Sequence, residues 1–200
     1  MKKITLFLLF CSCTGMAFAQ NALQNCVRDI FLREDSTIGP GERFTLWQEC
    51  MSEKKIPSFS VRTLKGAKLS PRKLKGKIVV LNFWFIDCLP CIKELPALNR
   101  LVSEYQDNKE VVFLSMTYET KERLEKTFYP KYKLDFEVVP EALKVVELFG
   151  KPGYPTLFVI GRDNKIKASW LGGPIDATAE TEAYVRAKPV IEKLLKETTK

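Results

Sequence analysis

The sequence predicts an α/β fold: a central mixed sheet flanked by helices, with a helical extension before it. Three observations carry this. Residues 78–85 and 111–116 are nearly continuous apolar runs, as expected of central strands covered on both faces. Between them Ile92, Leu95, Leu98, Leu101, Val102 and Tyr105 recur at helical spacing. Strand, helix, strand implies a βαβ unit with a right-handed crossover. Residues 156–160 and 166–171 read as strands joined by Gly161-Arg162-Asp163-Asn164-Lys165, a hairpin that finishes the sheet antiparallel.

Taken in order, the chain begins with an address. Lys2 and Lys3 precede an apolar stretch over residues 4–10, and Ala17-Phe18-Ala19 follows as a small-x-small site. Residues 1–19 read as a secretory signal, too short in its apolar core to span about 30 Å of hydrocarbon. Cleavage after Ala19 leaves Gln20 first. The competing readings are lipidation of Cys13 or Cys11, whose preceding residues fit a lipobox poorly, and an uncleaved anchor. The expected location is periplasmic or otherwise extracytoplasmic, soluble after cleavage or held as a lipoprotein. Cleavage removes two of the eight net positive charges, leaving +6, and two of the six cysteines, leaving four.

Residues 20–56 form the extension. Leu23, Val27, Ile30 and Phe31 have helical spacing, Thr37-Ile38-Gly39-Pro40-Gly41 is a turn, and residues 43–51 read as a second helix. Cys26 and Cys50, 24 positions apart, read as a structural disulfide stapling these helices. The alternative is a second redox pair that relays electrons. After Pro57, the residues Phe59, Val61 and Leu64 suggest an initial strand. Residues 64–77 carry five Lys and one Arg, a connector read as a solvated loop. An acidic partner or peripheral contact with an anionic membrane is its sharper reading. It lacks interleaved aromatics, which argues against nucleic acid. Further on, residues 120–132 read as a helix and 136–139 as a strand. Pro140 opens a helix over 141–149 that Gly150 ends, and the last helix covers 179–197.

The chain has no His, which excludes a Ser-His-Asp triad, a Cys-His dyad, a His-ligated metal and an imidazole proton shuttle. A structural zinc site needs four ligands, and no second C-x-x-C accompanies Cys88-Leu89-Pro90-Cys91. No metal and no cofactor are expected. The Cys pair falls where the first buried strand meets its helix. Backbone N–H groups there favour a thiolate, and the second thiol lies one turn on. Pro90 fits a first turn.

Asn82-Phe83-Trp84-Phe85-Ile86-Asp87-Cys88-Leu89-Pro90-Cys91-Ile92-Lys93-Glu94-Leu95-Pro96-Ala97-Leu98 resembles the active-site segment of the thioredoxin superfamily, in its TlpA/ResA-like extracytoplasmic branch. Gly153-Tyr154-Pro155-Thr156-Leu157-Phe158-Val159-Ile160 resembles that family's second signature, 64 residues beyond Cys91. The resemblance covers about residues 57–197 and implies a thioredoxin-like domain over 57–200 with an inserted helix and strand. It implies Cys88 as nucleophile, Cys91 as resolving thiol and Pro155 as a cis proline. Trp84, Leu89, Pro90 and Tyr154 become substrate-contacting residues. Three departures stand out. Asp87 replaces a common Trp and should disfavour the Cys88 thiolate. Asn82 stands where thioredoxins often keep a buried acid, so that proton carrier is missing. Leu89 supplies no acid. Asp87, Glu94 and Glu119 remain to move protons, with a helix-surface salt bridge as the plain reading of Glu94.

The resemblance implies an exported thiol-disulfide oxidoreductase. It reduces disulfides of cysteine-containing exported proteins and is itself reduced by a membrane-linked electron donor. An oxidase or isomerase is the alternative, since Leu-Pro does not fix the potential. A non-catalytic binding module is the alternative from another class. No Thr or Ser precedes Cys88 at a peroxide-binding spacing, which disfavours a peroxidase.

Overall fold

The computed structural model describes residues 22–32 and 37–197. The signal, its cleavage site, Cys11 and Cys13 lie outside the described residues. In chain order the elements are α1 (residues 22–27, continuing as a π-helical turn Arg28–Leu32), α2 (Pro40–Met51), β1 (Val61–Arg62), β2 (Lys68–Leu69), α3 (Pro71–Leu74), β3 (Ile78–Trp84), α4 (Leu89–Lys93) and α5 (Leu95–Tyr105). Then follow β4 (Val111–Thr117), α6 (Lys121–Arg123, continuing as a π turn Leu124–Phe128), β5 (Glu137–Val139), α7 (Leu143–Leu148), β6 (Thr156–Ile160), β7 (Ile166–Leu171) and α8 (Ala179–Lys196).

The main sheet has the order β5-β4-β3-β6-β7. β3, β4 and β5 are parallel, while β6 and β7 run antiparallel. Every residue of β3 is buried, and alternation sends its side chains into two cores. Val79, Leu81 and Phe83 face one core, with α1, α2, α3 and α7. Ile78, Val80 and Trp84 face the other, with α5, α6 and α8. Asn82 shares this second face by the same alternation.

The extension is part of the first core. Trp47 of α2 is fully buried, with its ring 6.0 Å from that of Phe158. Backbone bonds from Glu53 N to Ile166 O and from Ile166 N to Lys54 O tie the chain after α2 to the start of β7. A disulfide joins Cys26 of α1 to Cys50 of α2. α1 also lies against the end of α7. Gly150 there has φ +89°, and a Cβ on it would stand 2.8 Å from Val27 Cγ2 and 3.0 Å from Leu23 O.

Four expectations need correction. The initial strand is β1, which pairs with β2 in a two-stranded sheet of its own. Gly66, at φ +89°, turns the chain between them, and the basic connector is therefore a hairpin and the short α3, whose Leu74 is buried. α6 with its π turn stops at Phe128, short of Pro130. α7 starts at Leu143 rather than just after Pro140, because Glu141 sits at φ 52° and breaks helical geometry. α2 starts earlier than expected, at Pro40, which suits a first helical turn.

Gly150→Ala combines a left-handed backbone with a contact closer than a methyl tolerates. We expect it to lower stability in urea unfolding by about 2 kcal/mol or more. A loss below about 0.5 kcal/mol, the size of an ordinary surface change, would show that α1 does not press on α7 this way.

Candidate active site

The last residue of β3 is Trp84, and a short loop, 85–88, leads to α4. Cys88 is the N-cap of α4 and is bonded to Cys91. The N–H of Cys91 donates to Cys88 Sγ at 3.3 Å. Both cysteines are buried in this disulfide, Cys88 at 5% exposure and Cys91 at 1%. Leu89 between them is 54% exposed, and Pro90 is half-buried.

The loop is clamped by an acid from beyond β4. Glu119 is buried; its Oε1 accepts from Ile86 N at 3.1 Å and its Oε2 from Arg123 at 2.8 Å. Arg123 also pairs with Asp87. Both oxygens of Glu119 are thus engaged in holding the loop. Asp87 is solvent-facing, 70% exposed, and Arg123 offsets the charge that was expected to oppose a Cys88 thiolate.

Glu94 departs from its plain reading as a helix-surface salt bridge. Pro96 has no N–H to donate back to the preceding turn, and the helix divides at Glu94 into α4 and α5. Glu94 is only 7% exposed, not on a helix surface. Asn82 Nδ2 donates to Glu94 Oε1 at 2.9 Å, and Ser115 Oγ donates to Asn82 Oδ1 at 3.3 Å. Burial pushes the Glu94 carboxyl up to about 8, partly opposed by the Asn82 hydrogen bond. The strand lacks the buried acid, but the helix supplies one in its place.

At the start of β6, Tyr154-Pro155 is a cis peptide. The β3–β6 register pairs Phe83 with Thr156, so Pro155 lies level with Trp84. Pro155 O accepts from Gly172 N at 2.8 Å. Trp84 was expected at the substrate surface and is not there. It is 1% exposed, with its ring 4.5 Å from that of Phe128. Alternation along β3 turns Trp84 into the core and leaves the next residue, Phe85, to the rim. Sequence reasoning missed Phe85 and Tyr118: their rings stack at 5.4 Å, and Phe85 meets the Tyr154 ring at 5.2 Å. The signal available for Phe85 was its position one residue past Trp84. Tyr118 carried none. Among the described residues no group of three or more His, Cys, Asp or Glu could hold a metal ion, and no helix is long and apolar enough to cross a membrane.

The AhpC/TSA family matches residues 53–169, more than half of the chain. The chain belongs to the AhpC/TSA family. The AhpC/TSA match takes in the Cys pair, Glu94 and Pro155, and leaves α8 and the Cys26–Cys50 disulfide outside it. A thiol-disulfide oxidoreductase ResA from Bacillus thuringiensis is 34% identical over 137 residues, covering 64% of this chain and 79% of its own. The thioredoxin-like protein YneN of Bacillus subtilis is 34% identical over 117 residues, covering 58% and 69%. The thioredoxin domain of a thiol-disulfide oxidoreductase from Bacteroides vulgatus superposes with TM-score 0.57 at 24% identity, over 70% of this chain and 97% of that one, and shows the same fold. This AhpC/TSA-family chain is a thioredoxin-like enzyme of the thiol-disulfide oxidoreductase class.

Glu94 sets a pH dependence of stability. Below the ordinary carboxyl value of 4.5 it is protonated folded and unfolded alike. Between 4.5 and about 8 the unfolded chain releases the proton and the folded one keeps it, so stability falls as pH rises through that window. Glu94→Gln keeps the acceptor for Asn82 and removes the charge. The variant should match the wild type at pH 4 and exceed it by several kcal/mol at about pH 8 or above in denaturant unfolding. Equal stabilities at both ends would mean that Glu94 is not buried as an acid.

Proposed function

We propose that the chain is an exported reductant of protein disulfides, acting through Cys88 and Cys91. The observation that carries this reading is the joined Cys pair at the head of α4, with a buried carboxyl three residues after Cys91 and a cis proline level with the end of β3. In the reduced form Cys88 thiolate attacks one sulfur of a substrate disulfide. A mixed disulfide forms, and the first substrate thiolate leaves. Glu94 in its ionised form, the minority form below about pH 8, then takes the proton of Cys91, and the Cys91 sulfur attacks Cys88 Sγ. The bond between Cys88 and the substrate breaks, its electron pair leaves on the second substrate thiolate, and the Cys88–Cys91 disulfide is regenerated. Two electrons pass to the substrate in all.

The N–H of Cys91, aimed at Cys88 Sγ, supports Cys88 as the thiolate, because a donor to the charged form lowers a thiol's pKa. The backbone N–H and C=O of Tyr154, just before the cis bond, offer pairing groups to a substrate strand. Leu89, Pro90 and the Phe85, Tyr118 and Tyr154 rings give that strand an apolar seat. The substrates are cysteine-containing exported proteins, and a membrane-linked donor restores the dithiol. ResA relatives, thiol-disulfide oxidoreductases by name, favour this chemistry. The Cys26–Cys50 disulfide is structural in this reading, since Cys26 is fully buried between helices away from the Cys88 loop.

The test is trapping. Cys91→Ser, expressed with its leader, should accumulate mixed disulfides on Cys88 with exported proteins, and Cys88→Ser should accumulate none. The purified wild type should reduce insulin, and its potential should lie near the roughly −270 mV of thioredoxin. No adduct in the Cys91→Ser strain would sink the reading of protein substrates. A potential near about −120 mV would make the protein an oxidant instead.

A further inference from the structure

A small cavity lies under Pro155, lined by Glu94, Trp170, Glu182, Ala183 and Arg186 among others. Its volume of about 20 Å³ is room for one water molecule. Glu182 and Arg186 reach it from α8, one turn apart. Arg186 Nη2 is bonded to Glu182 Oε1. Glu182 Oε2 is buried and has no hydrogen-bond partner among the protein atoms. A buried carboxylate oxygen without a donor is costly to keep, and a water in the cavity would supply the donor. The same water borders Glu94, whose Oε1 is taken by Asn82.

We propose that this cavity is a single-water site joining Glu94 to Glu182, and that the Glu182–Arg186 pair is the outlet through which the proton of the resolving thiol reaches solvent. The proposal rests on the role of Glu94 given above. Each turnover leaves a proton on Glu94 as Cys91 attacks Cys88. Glu94 passes it to the water, and the water gives one of its own protons to Glu182 Oε2, so the water is unchanged. The Glu182 side chain as a whole is 27% exposed while Oε2 is buried, so the carboxyl turns over to release the proton to bulk. Arg186 holds Glu182 in place and offsets its charge once the proton has gone. The charged and titratable groups facing Glu94 are few. Glu182 and Arg186 stand on α8, and Cys91 stands on α4; Asn82 on β3 and Pro155, Leu157 and Trp170 around the cavity are neutral. From sequence alone Glu182 and Arg186 are an ordinary i,i+4 helix pair. Only the fold turns them toward the disulfide.

Stopped-flow mixing of the reduced full-length protein with one equivalent of dithiobis(nitrobenzoate) reads the two steps separately. The first nitrothiolate release reports attack by Cys88, and the second reports resolution by Cys91. The ratio of second to first rates should fall about tenfold or more in Glu182→Gln, a share of the usual effect of a proton-transfer group. Ala183→Val, which fills the cavity without touching a charge, should lower the ratio likewise. The pH midpoint of the second phase should also move. It should fall in Glu182→Gln, because the negative neighbour is gone, and rise in Arg186→Gln, because the positive one is gone. Opposed midpoint shifts show that both charges face Glu94; the fall in the ratio is what marks the outlet. The partly exposed charge variants decide the matter even where Ala183→Val does not fold. If Glu94→Gln slows resolution while Glu182→Gln leaves the ratio unchanged, the outlet is overturned and the Glu94 role stands. If Glu94→Gln has no effect, both fall.

Discussion

The hydrogen bond from Asn82 to Glu94 is the contact on which the site is built. It joins the central strand to the break between α4 and α5, directly after the Cys-Leu-Pro-Cys turn. A carboxylate at this depth would be costly as a charge. The neutral amide of Asn82 gives it one donor, not a counter-charge, so the group stays protonated into the neutral range. Ser115 fixes the amide from the neighbouring strand. In the proposed function this acid is the proton store for the Cys pair. Here the strand keeps the amide and the helix carries the acid.

The rest of the molecule holds this arrangement still. Phe83, Phe149 and Phe158 pack edge to face or tilted behind β3, with ring separations of 5.2 to 5.6 Å. The disulfide-linked α1 and α2 complete that layer. In front, Glu119 and Arg123 pin the loop that delivers Cys88. Each device is remote from the sulfurs, yet each sets a coordinate of the reacting pair: β3 its height, α4 its spacing, and the Glu119 clamp its approach.

The architecture was largely legible in the residues. Long apolar runs, one helical repeat between them and a Gly-Arg-Asp-Asn-Lys connection are local signals, and β3, α5, β4 and the β6–β7 hairpin follow them. Side-chain direction was less legible. In a run buried on both faces, as at 78–85, no alternation of polarity says which way Trp84 points. The structure sends it inward and leaves the rim to Phe85. The burial of Glu94 was hidden for another reason. On a continuous helix its position reads as surface, and its burial depends on the break enforced by Pro96 and on Asn82, twelve residues earlier. Glu119 and Arg123 come to the loop from across the sheet, and Tyr118 reaches the cis-proline rim in the same way. Pairings of that kind belong to the fold and have no local signature.

The most direct test of the central claim is the titration of Glu94 itself. Glutamate labelled with ¹³C at the side-chain carboxyl, with the Glu94 resonance assigned by its loss in Glu94→Gln, can be followed by NMR in the oxidised protein. The account requires a midpoint near 8. A midpoint near the ordinary 4.5 would mean that the carboxyl is solvated and charged at neutral pH, and that no proton store lies beneath the disulfide.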